Sequence, residues 1–129
     1  MAHWHGISRR KPSGGRLKRP SSYRGKRRTE IASEKQFAMI GASSRKNYRK
    51  RAGSQTVRVL FDTVINVADK KTGKVTQATL QSVAENAADP NYVRRNIMTK
   101  GAVVETDKGR VRITSRPGSH GVINGVLLE

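Results

Sequence analysis

The first 28 residues constrain this chain most, because they combine dense positive charge with frequent helix-breaking residues. The segment MAHWHGISRRKPSGGRLKRPSSYRGKRR has no Asp or Glu, and Gly or Pro interrupts it every few residues, so no long helix can form. Its few apolar residues follow no helical or strand period, and it cannot bury enough surface to offset the entropy of its own ordering. We therefore expect an extended arm that is shaped by a polyanion, most simply nucleic acid. Its cations are Arg9, Arg10, Lys11, Arg16, Lys18, Arg19, Arg24, Lys26, Arg27 and Arg28.

The charge of the whole chain supports this interpretation and divides it into two parts. The formal net charge is +18 over 129 residues, which is typical of nucleic-acid binders. Residues 1–53 carry a net charge of +14, whereas residues 54–129 carry only +4. We predict a basic arm and link over residues 1–42 and a folded body over residues 43–129. Within the link, residues 29–42 fit either a short helical turn or an extended crossing toward the body.

Several other classes of protein are disfavoured by composition. A basic membrane-surface protein would contain an amphipathic helix with Trp, Phe or Leu on one face, and none is visible. No apolar run approaches 18 residues, and the first residues lack the apolar stretch of a secretory signal. The absence of cysteine excludes disulfides and thiolate metal sites. A cytoplasmic protein is the simplest expectation.

Within the arm, Trp4 is the only tryptophan, and two interpretations of it stay open. It can stack on or pack against RNA beside the neighbouring cations, or it can pack on the protein's own body. Gly14 and Gly15 would let the backbone approach phosphates closely, and the alternative is a flexible linker. His3 would chelate copper or nickel only with an intact N-terminus, and removal of Met1 would dismantle that site. We expect no metal and no cofactor.

Residues 43–67 predict a β-hairpin with its turn at Gly53-Ser54. The alternation that follows puts Val57, Val59, Phe61, Ile65 and Val67 on one face, broken only by Thr63, with Arg58, Asp62 and Asn66 on the other. The first strand is exceptionally basic, which would protect a sheet edge from self-pairing. Its charge exceeds what protection needs, so we interpret it as a phosphate-binding ribbon. Its cations are Arg45, Lys46, Arg49, Lys50 and Arg51.

The remainder of the body reads as short strands joined by turns. Residues 69–74 form a turn that lacks the first glycine and the Ser/Thr of a nucleotide-binding loop, and residues 75–85 form a strand with imperfect alternation. Asp89 is a possible N-cap for a helical turn that begins at Pro90 and presents Arg94 and Arg95. These arginines serve either solubility or a second RNA contact, and we favour the contact. Residues 107–109 and 116–118 predict further turns, and residues 122–129 a final strand.

The predicted fold is therefore mostly β: a small antiparallel β-barrel with a long basic extended N-terminal arm and one short helical turn. Catalysis is disfavoured, because an enzyme needs titratable groups that converge in a pocket. His3 and His5 lie in the arm, and His120 lies in a glycine-rich loop with no identifiable partner. The acids of the body are spread over strand faces, turns and the terminus, so we predict no enzyme and no catalytic residue.

Four stretches in matching order resemble the small-subunit ribosomal protein family called eight-e, which occurs in archaea and eukaryotes. They are HWHGISRRKPSGGR at 3–16, ADKKTGKV at 68–75, ENAADPNYVRRNIMTKGAVVET at 85–106 and TSRPGSHGVINGVLLE at 114–129. The length is similar to that of archaeal members. Residues 29–44 depart from the family pattern and keep only Ile40-Gly41 of its usual link.

The resemblance implies a β-barrel with a basic extension, seated on small-subunit rRNA as a structural component. Its RNA-contacting arm corresponds to Arg9, Arg10, Lys11, Arg16 and Lys18, and its characteristic loop to Arg94, Arg95, Asn96, Lys100, Arg116 and Gly118. Of these loop residues we predict RNA contacts for Arg94, Arg95, Lys100 and Arg116. It also implies a monomer within the ribosome, with rRNA and neighbouring ribosomal proteins as partners and no small-molecule substrate or membrane. The alternative class is a basic RNA- or DNA-binding chaperone or architectural protein outside the ribosome.

Overall fold

The computed structural model describes residues 3–4, 8, 10–18 and 27–128. Contacts divide the chain into two units, Met1–Lys35 and Gln36–Glu129, so this division falls earlier than the boundary at residue 42 predicted from composition. In the first unit, strands β1 (His3–Trp4) and β2 (Ile31–Ala32) pair antiparallel. A 3-10 turn over Arg28–Glu30 precedes β2, so the link begins with a helical turn and continues extended.

The second unit holds the remaining strands and two short helices. In chain order its elements are β3 (Ala38–Ile40), β4 (Ser44–Arg49), β5 (Gln55–Asp62), β6 (Val64–Ala68), β7 (Val75–Glu85), α1 (Pro90–Arg94), β8 (Ile97–Met98), β9 (Val103–Thr106), β10 (Gly109–Ile113), α2 (Pro117–His120) and β11 (Asn124–Leu127). The predicted turn at residues 116–118 is thus the beginning of a second helical turn. Proline at its first position favours that geometry, since its fixed φ suits a helix start.

Five strands close into a barrel in the order β10-β11-β6-β7-β9, which confirms the predicted architecture. Four of the pairings are antiparallel, and the pairing of β11 with β6 is parallel. Strand β7 bulges twice, between Leu80 and Ser82 and between Val83 and Glu85, which accounts for its imperfect alternation. The barrel interior is apolar, and its side chains with the least exposure are Ile65, Val104, Val111 and Ile113.

The final strand passes close to its neighbour in the barrel at a glycine. A β-carbon on Gly125 would lie 2.4 Å from Val111 Cγ1 and 2.9 Å from the carbonyl oxygen of Arg112. No side chain fits in that space, so glycine lets β11 approach β10 closely enough to close the barrel.

The remaining strands form a second sheet in the order β4-β5-β3-β8, with β4 at one edge. The predicted hairpin is confirmed: β4 and β5 pair antiparallel, and the Lys50 N–H donates to the Ser54 carbonyl across the turn. The prediction that Phe61 shares a face with Val59, and Asp62 a face with Arg58, was wrong. Val59 and Asp62 are buried, at 2% and 3% exposure, whereas Phe61 is 37% exposed and Arg58 is exposed. The register shifts near Ser44 and Arg45, and the extra residue in β5 inverts the alternation after Val59.

Candidate nucleic-acid interface

In the described part of the arm, residues 10–16 form a tight turn, so the arm is not extended throughout. The Gly14 N–H donates to the Lys11 carbonyl at 2.9 Å, and the Lys11 N–H donates to the Gly15 carbonyl at 2.8 Å. Arg10 and Arg16 then pair as an isolated antiparallel bridge. Proline after Lys11 and the left-handed φ of +84° at Gly14 explain the turn, since both are turn-forming residues.

This turn presents several of the predicted contact residues together. Arg10, Lys11, Arg16 and Lys18 are exposed. Arg10 also contributes to the turn, because its Nη1 donates to the Gly14 carbonyl at 2.9 Å. Its charge therefore lies beside a structured backbone segment, which reduces the entropy lost when an anion binds there.

The structure describes only some of the other predicted contact residues of the arm. Arg27 and Arg28 are exposed, and the Arg27 N–H donates to Glu30 Oε2 at 3.1 Å. The side chain of Trp4 lies outside the described part of the structure. The remaining predicted contacts that lie outside it are Arg9, Arg19, Arg24 and Lys26.

On strand β4, Arg45 differs from the other cations because it is paired. Its Nη2 lies 3.0 Å from Asp62 Oδ2, and the Asp62 carboxylate also accepts from the N–H groups of Thr63 and Val64. A buried carboxylate requires such partners, since an unpaired charge is costly inside a protein. Arg45 therefore has a structural role in addition to any contact with an anion.

The other cations of this edge are exposed, and none has an acidic partner in the part of the chain that the structure describes. Lys46, Arg49, Lys50 and Arg51 have no carboxylate neighbour among residues 27–128. Cations packed along one short edge repel one another, so an external anion would relieve this repulsion.

The ring of Tyr48 lies close to two of the hairpin's cations. The Nζ of Lys46 is 5.3 Å and the Cζ of Arg58 is 4.9 Å from the ring centroid of Tyr48. Lys46 and Arg58 are also direct cross-strand partners, so they share one face of the hairpin. The Tyr48 hydroxyl donates to Gln36 Oε1, which ties the ring to the chain before β3.

Helix α1 has the predicted cap, which confirms that part of the sequence analysis. The Asn91 N–H donates to Asp89 Oδ1 at 2.8 Å, and Pro90 occupies the first position. Arg94 and Arg95 are both exposed at the end of this helix.

The two arginines of this helix have different surroundings. The Cζ of Arg95 lies 5.6 Å from the ring centroid of Phe37, which is 5.2 Å from the ring of Tyr92. Arg94 has no such partner within residues 27–128. Arg95 is therefore held by an aromatic neighbour, whereas no residue in the described part of the chain holds Arg94 in this way.

The remaining predicted contact residues, Lys100 and Arg116, lie in loops of the body and are exposed. Asn96 and Gly118, which the family resemblance adds to these loops, are exposed as well. Asn96 adopts a left-handed φ of +50°, and its Oδ1 accepts from the Val83 N–H. The Arg116 N–H donates to His120 Nδ1 at 3.1 Å, so this histidine closes its own loop.

The turn at residues 69–74 is confirmed and has its own hydrogen bonds. The Lys71 N–H and the Thr72 hydroxyl donate to the Asp69 carboxylate. These hydrogen bonds, that from Lys71 first, hold the pKa of Asp69 below its usual value of 3.8. They satisfy the carboxylate within the turn, which has the structure of an ordinary Asx turn.

Neither a metal cluster nor a membrane span is found in the part of the chain that the structure describes. No group of three or more His, Cys, Asp or Glu side chains is placed there to hold a metal ion. No helix among those residues is long and apolar enough to cross a bilayer.

Comparison with known proteins decides the family. The sequence model of the family described as ribosomal protein S8e matches residues 4–128. The chain belongs to this family. Among archaeal relatives named "Small ribosomal subunit protein eS8", that of Methanocorpusculum labreanum is 51% identical over 98% of both chains. That of Methanospirillum hungatei is 49% identical over the same shares, and that of Methanobrevibacter smithii is 42% identical over 99% of this chain and 100% of its own.

In this member of the S8e family, most of the predicted contact residues that the structure describes belong to three local groups: the arm turn, the β4 edge and the end of α1. The sequence analysis missed Arg58, Tyr48 and Phe37 as members of these groups. Arg58 carried a signal, since alternation put it on the polar face of β5. Phe37 carried none, because its contacts with Tyr92 and Arg95 join residues far apart in sequence.

Proposed function

We propose that this protein is a structural constituent of the small ribosomal subunit, where it binds and stabilises folded rRNA through phosphate contacts. The observation that carries this is full-length similarity to the S8e family, whose relatives are named as small-subunit proteins. The proposal implies a cytoplasmic location, with rRNA and neighbouring ribosomal proteins as partners. The protein acts as a monomer within the ribosome, and it turns over no substrate.

The exposed cations support phosphate binding as the mechanism. The arm turn and the β4 edge carry cations without acidic partners among residues 10–18 and 27–128, and each that meets a phosphate releases condensed counterions. Structured RNA is recognised mainly by shape and backbone, because the base edges of its deep groove are inaccessible. The barrel provides a rigid support, and the flanking basic segments set the register on the RNA.

Co-sedimentation with small subunits tests the proposal against binding outside the ribosome. We expect the protein to remain with small subunits through a high-salt wash and to bind unrelated RNA or DNA much more weakly than rRNA. A chaperone or architectural protein would be removed by the wash and would bind rRNA and unrelated nucleic acids with similar affinity.

Removal of residues 1–28 tests the role of the arm. The variant loses ten cations, and each phosphate contact contributes about 0.7–0.9 to the slope of log K against log salt concentration. We expect a folded body, much weaker rRNA binding and a salt slope reduced by several units. The measurement is filter binding to small-subunit rRNA across a salt series.

A matched variant separates the charge of the arm from its shape. Gly14→Val keeps all ten cations but places a β-branched residue at a left-handed φ of +84°. We expect weaker binding with an almost unchanged salt slope, because the turn is lost but the charge is not. An unchanged slope in the truncated protein would show that the arm is not the electrostatic element.

A further inference from the structure

We propose that Lys46, Tyr48 and Arg58 form a binding site for one RNA backbone phosphate on the outer face of the β4–β5 hairpin. This inference rests on the rRNA binding proposed above. It adds Arg58, which lies outside the basic run of β4, and gives Tyr48 a positioning role. We call these three residues the tyrosine cluster.

The hairpin register places the two cations of the tyrosine cluster side by side. Lys46 pairs directly with Arg58, and Tyr48 follows Lys46 by two residues on the same strand face. Arg45 and Arg49 alternate with them and pair with Val59 and Gln55, so they belong to the other face. The basic strand therefore has two faces, and only one of them carries the Asp62 ion pair.

Like charges directly opposite each other in a sheet repel and destabilise the pairing. Both cations are exposed, and neither has a carboxylate partner within residues 27–128. The Tyr48 ring offsets part of this repulsion, because each cation lies within about 6 Å of its centroid, as cation–π attraction requires. An anion between the two cations would offset the remainder.

Tyr48 is suited to a positioning role because its own orientation is restrained. The ring is half-buried, and its hydroxyl donates to Gln36 Oε1. Lys and Arg side chains lose considerable rotamer entropy when a ligand orders them. A ring that already holds both cations reduces this loss, which is the general advantage of a pre-organised site.

The chemistry of the two cations favours phosphate. Arg58 offers a planar fork that matches phosphate oxygens, and Lys46 offers a compact point charge. Together they can contact different oxygens of one phosphate. The same strand edge continues into the exposed cations Lys50 and Arg51, so a chain of successive phosphates suits this surface better than a single carboxylate.

Filter binding of the full chain to small-subunit rRNA tests the site, with Arg58→Ala as the main variant. We expect affinity to fall about tenfold, as for one lost charge-assisted contact, and the salt slope to fall by about 0.7–0.9. Arg112→Ala is the matched control, because Arg112 is an exposed strand arginine that pairs with Val103 and Val126 outside the basic groups. We expect the control to bind like the wild type.

Variants of Tyr48 distinguish positioning from a merely structural role. Tyr48→Leu removes the ring, and we expect a loss of about threefold or more in affinity with an unchanged salt slope. In that background, Arg58→Ala should cost clearly less than in the wild type, because Arg58 is no longer held. Tyr48→Phe keeps the ring and should restore most of the affinity.

Two results would overturn this inference alone, and a third would overturn the proposed function together with it. Arg58→Ala could match the Arg112→Ala control, or the Tyr48→Leu and Arg58→Ala effects could simply add; rRNA binding would then stand without the site. Binding of the wild-type chain to an acidic peptide but not to rRNA would refute both proposals.

Discussion

Replacement of Arg45 by alanine should destabilise the fold more than it weakens RNA binding. Among the described residues, Arg45 is the one cation of strand β4 that pairs with a carboxylate, that of Asp62. Asp62 is 3% exposed and accepts three hydrogen bonds, from Arg45 Nη2 and from the N–H groups of Thr63 and Val64. The variant removes only the first of these and leaves the carboxylate charged and buried.

The expected loss follows from the geometry of this pair. Removal of one partner from a fully buried ion pair costs about 3–5 kcal/mol. Two backbone donors remain on Asp62, and the Arg45 side chain is 48% exposed, so water can replace part of the interaction. We therefore expect a loss of about 2 kcal/mol. At roughly 3–6 °C per kcal/mol for a chain of this size, Tm should fall by about 6–12 °C.

The assay is urea and thermal unfolding of the full chain, and Arg49→Ala is the control. Arg49 lies on the same strand and face, pairs with Gln55, and has no carboxylate neighbour among residues 27–128. Its variant should keep the wild-type Tm and lose salt-dependent rRNA affinity. The double variant Arg45→Ala, Asp62→Asn should lose less stability than the sum of the losses in the two single variants.

A structural role for Arg45 would be refuted if Arg45→Ala had the Tm and urea midpoint of the wild type while its rRNA salt slope fell as far as that of Arg49→Ala. Arg45 would then be one more phosphate contact, and the ion pair with Asp62 would contribute nothing measurable to the fold.

Two further pairs of substitutions test other parts of the structure. Gly125→Ala should lower the free energy of unfolding in urea by about 3 kcal/mol or more, because the new methyl group would lie 2.4 Å from Val111 Cγ1. Gly118→Ala is the control, since a methyl group there meets open space and should leave the stability unchanged. Equal stabilities of the two variants would show that β11 shifts to accept the methyl group. Arg94→Ala should lower rRNA affinity without changing Tm. Arg95→Ala should lower rRNA affinity and also lower stability by about 0.5–1 kcal/mol, since Arg95 lies over an aromatic ring. A larger loss of stability in Arg94→Ala than in Arg95→Ala would contradict this prediction.

Local signals in the sequence were sufficient for many of the elements. Asp89 and Pro90 mark the start of α1 because a capping oxygen and a fixed φ act within a few residues. The β4–β5 hairpin and the turn at residues 69–74 were equally predictable from turn chemistry. The family followed from four stretches whose joint order is specific, and the comparison confirms it.

Other predictions failed where a distant neighbour intervened. Alternation put Phe61 on the face of Val59 and Asp62 on the face of Arg58, but a bulge in β5 opposite Ser44 and Arg45 breaks the alternation. The tight turn closed by Arg10 and Arg16 differs from this case, because its Pro and Gly residues were local signals that the prediction of an extended arm did not use. The parallel pairing of β11 with β6 had no local signal, because it joins segments far apart in the chain.

The sequence by itself determined the positive charge, the short strands, most turns and the family, because each depends on residue type or on neighbours a few positions away. Only the tertiary structure decided which of the described cations contact a carboxylate or an aromatic ring of the protein itself. Arg45 is paired because a bulge buries Asp62 beside it. Arg58 lies near Lys46 and Tyr48 because the hairpin register places it directly opposite Lys46. Charge is a property of a residue, whereas its availability to RNA depends on which side chains the fold brings within reach.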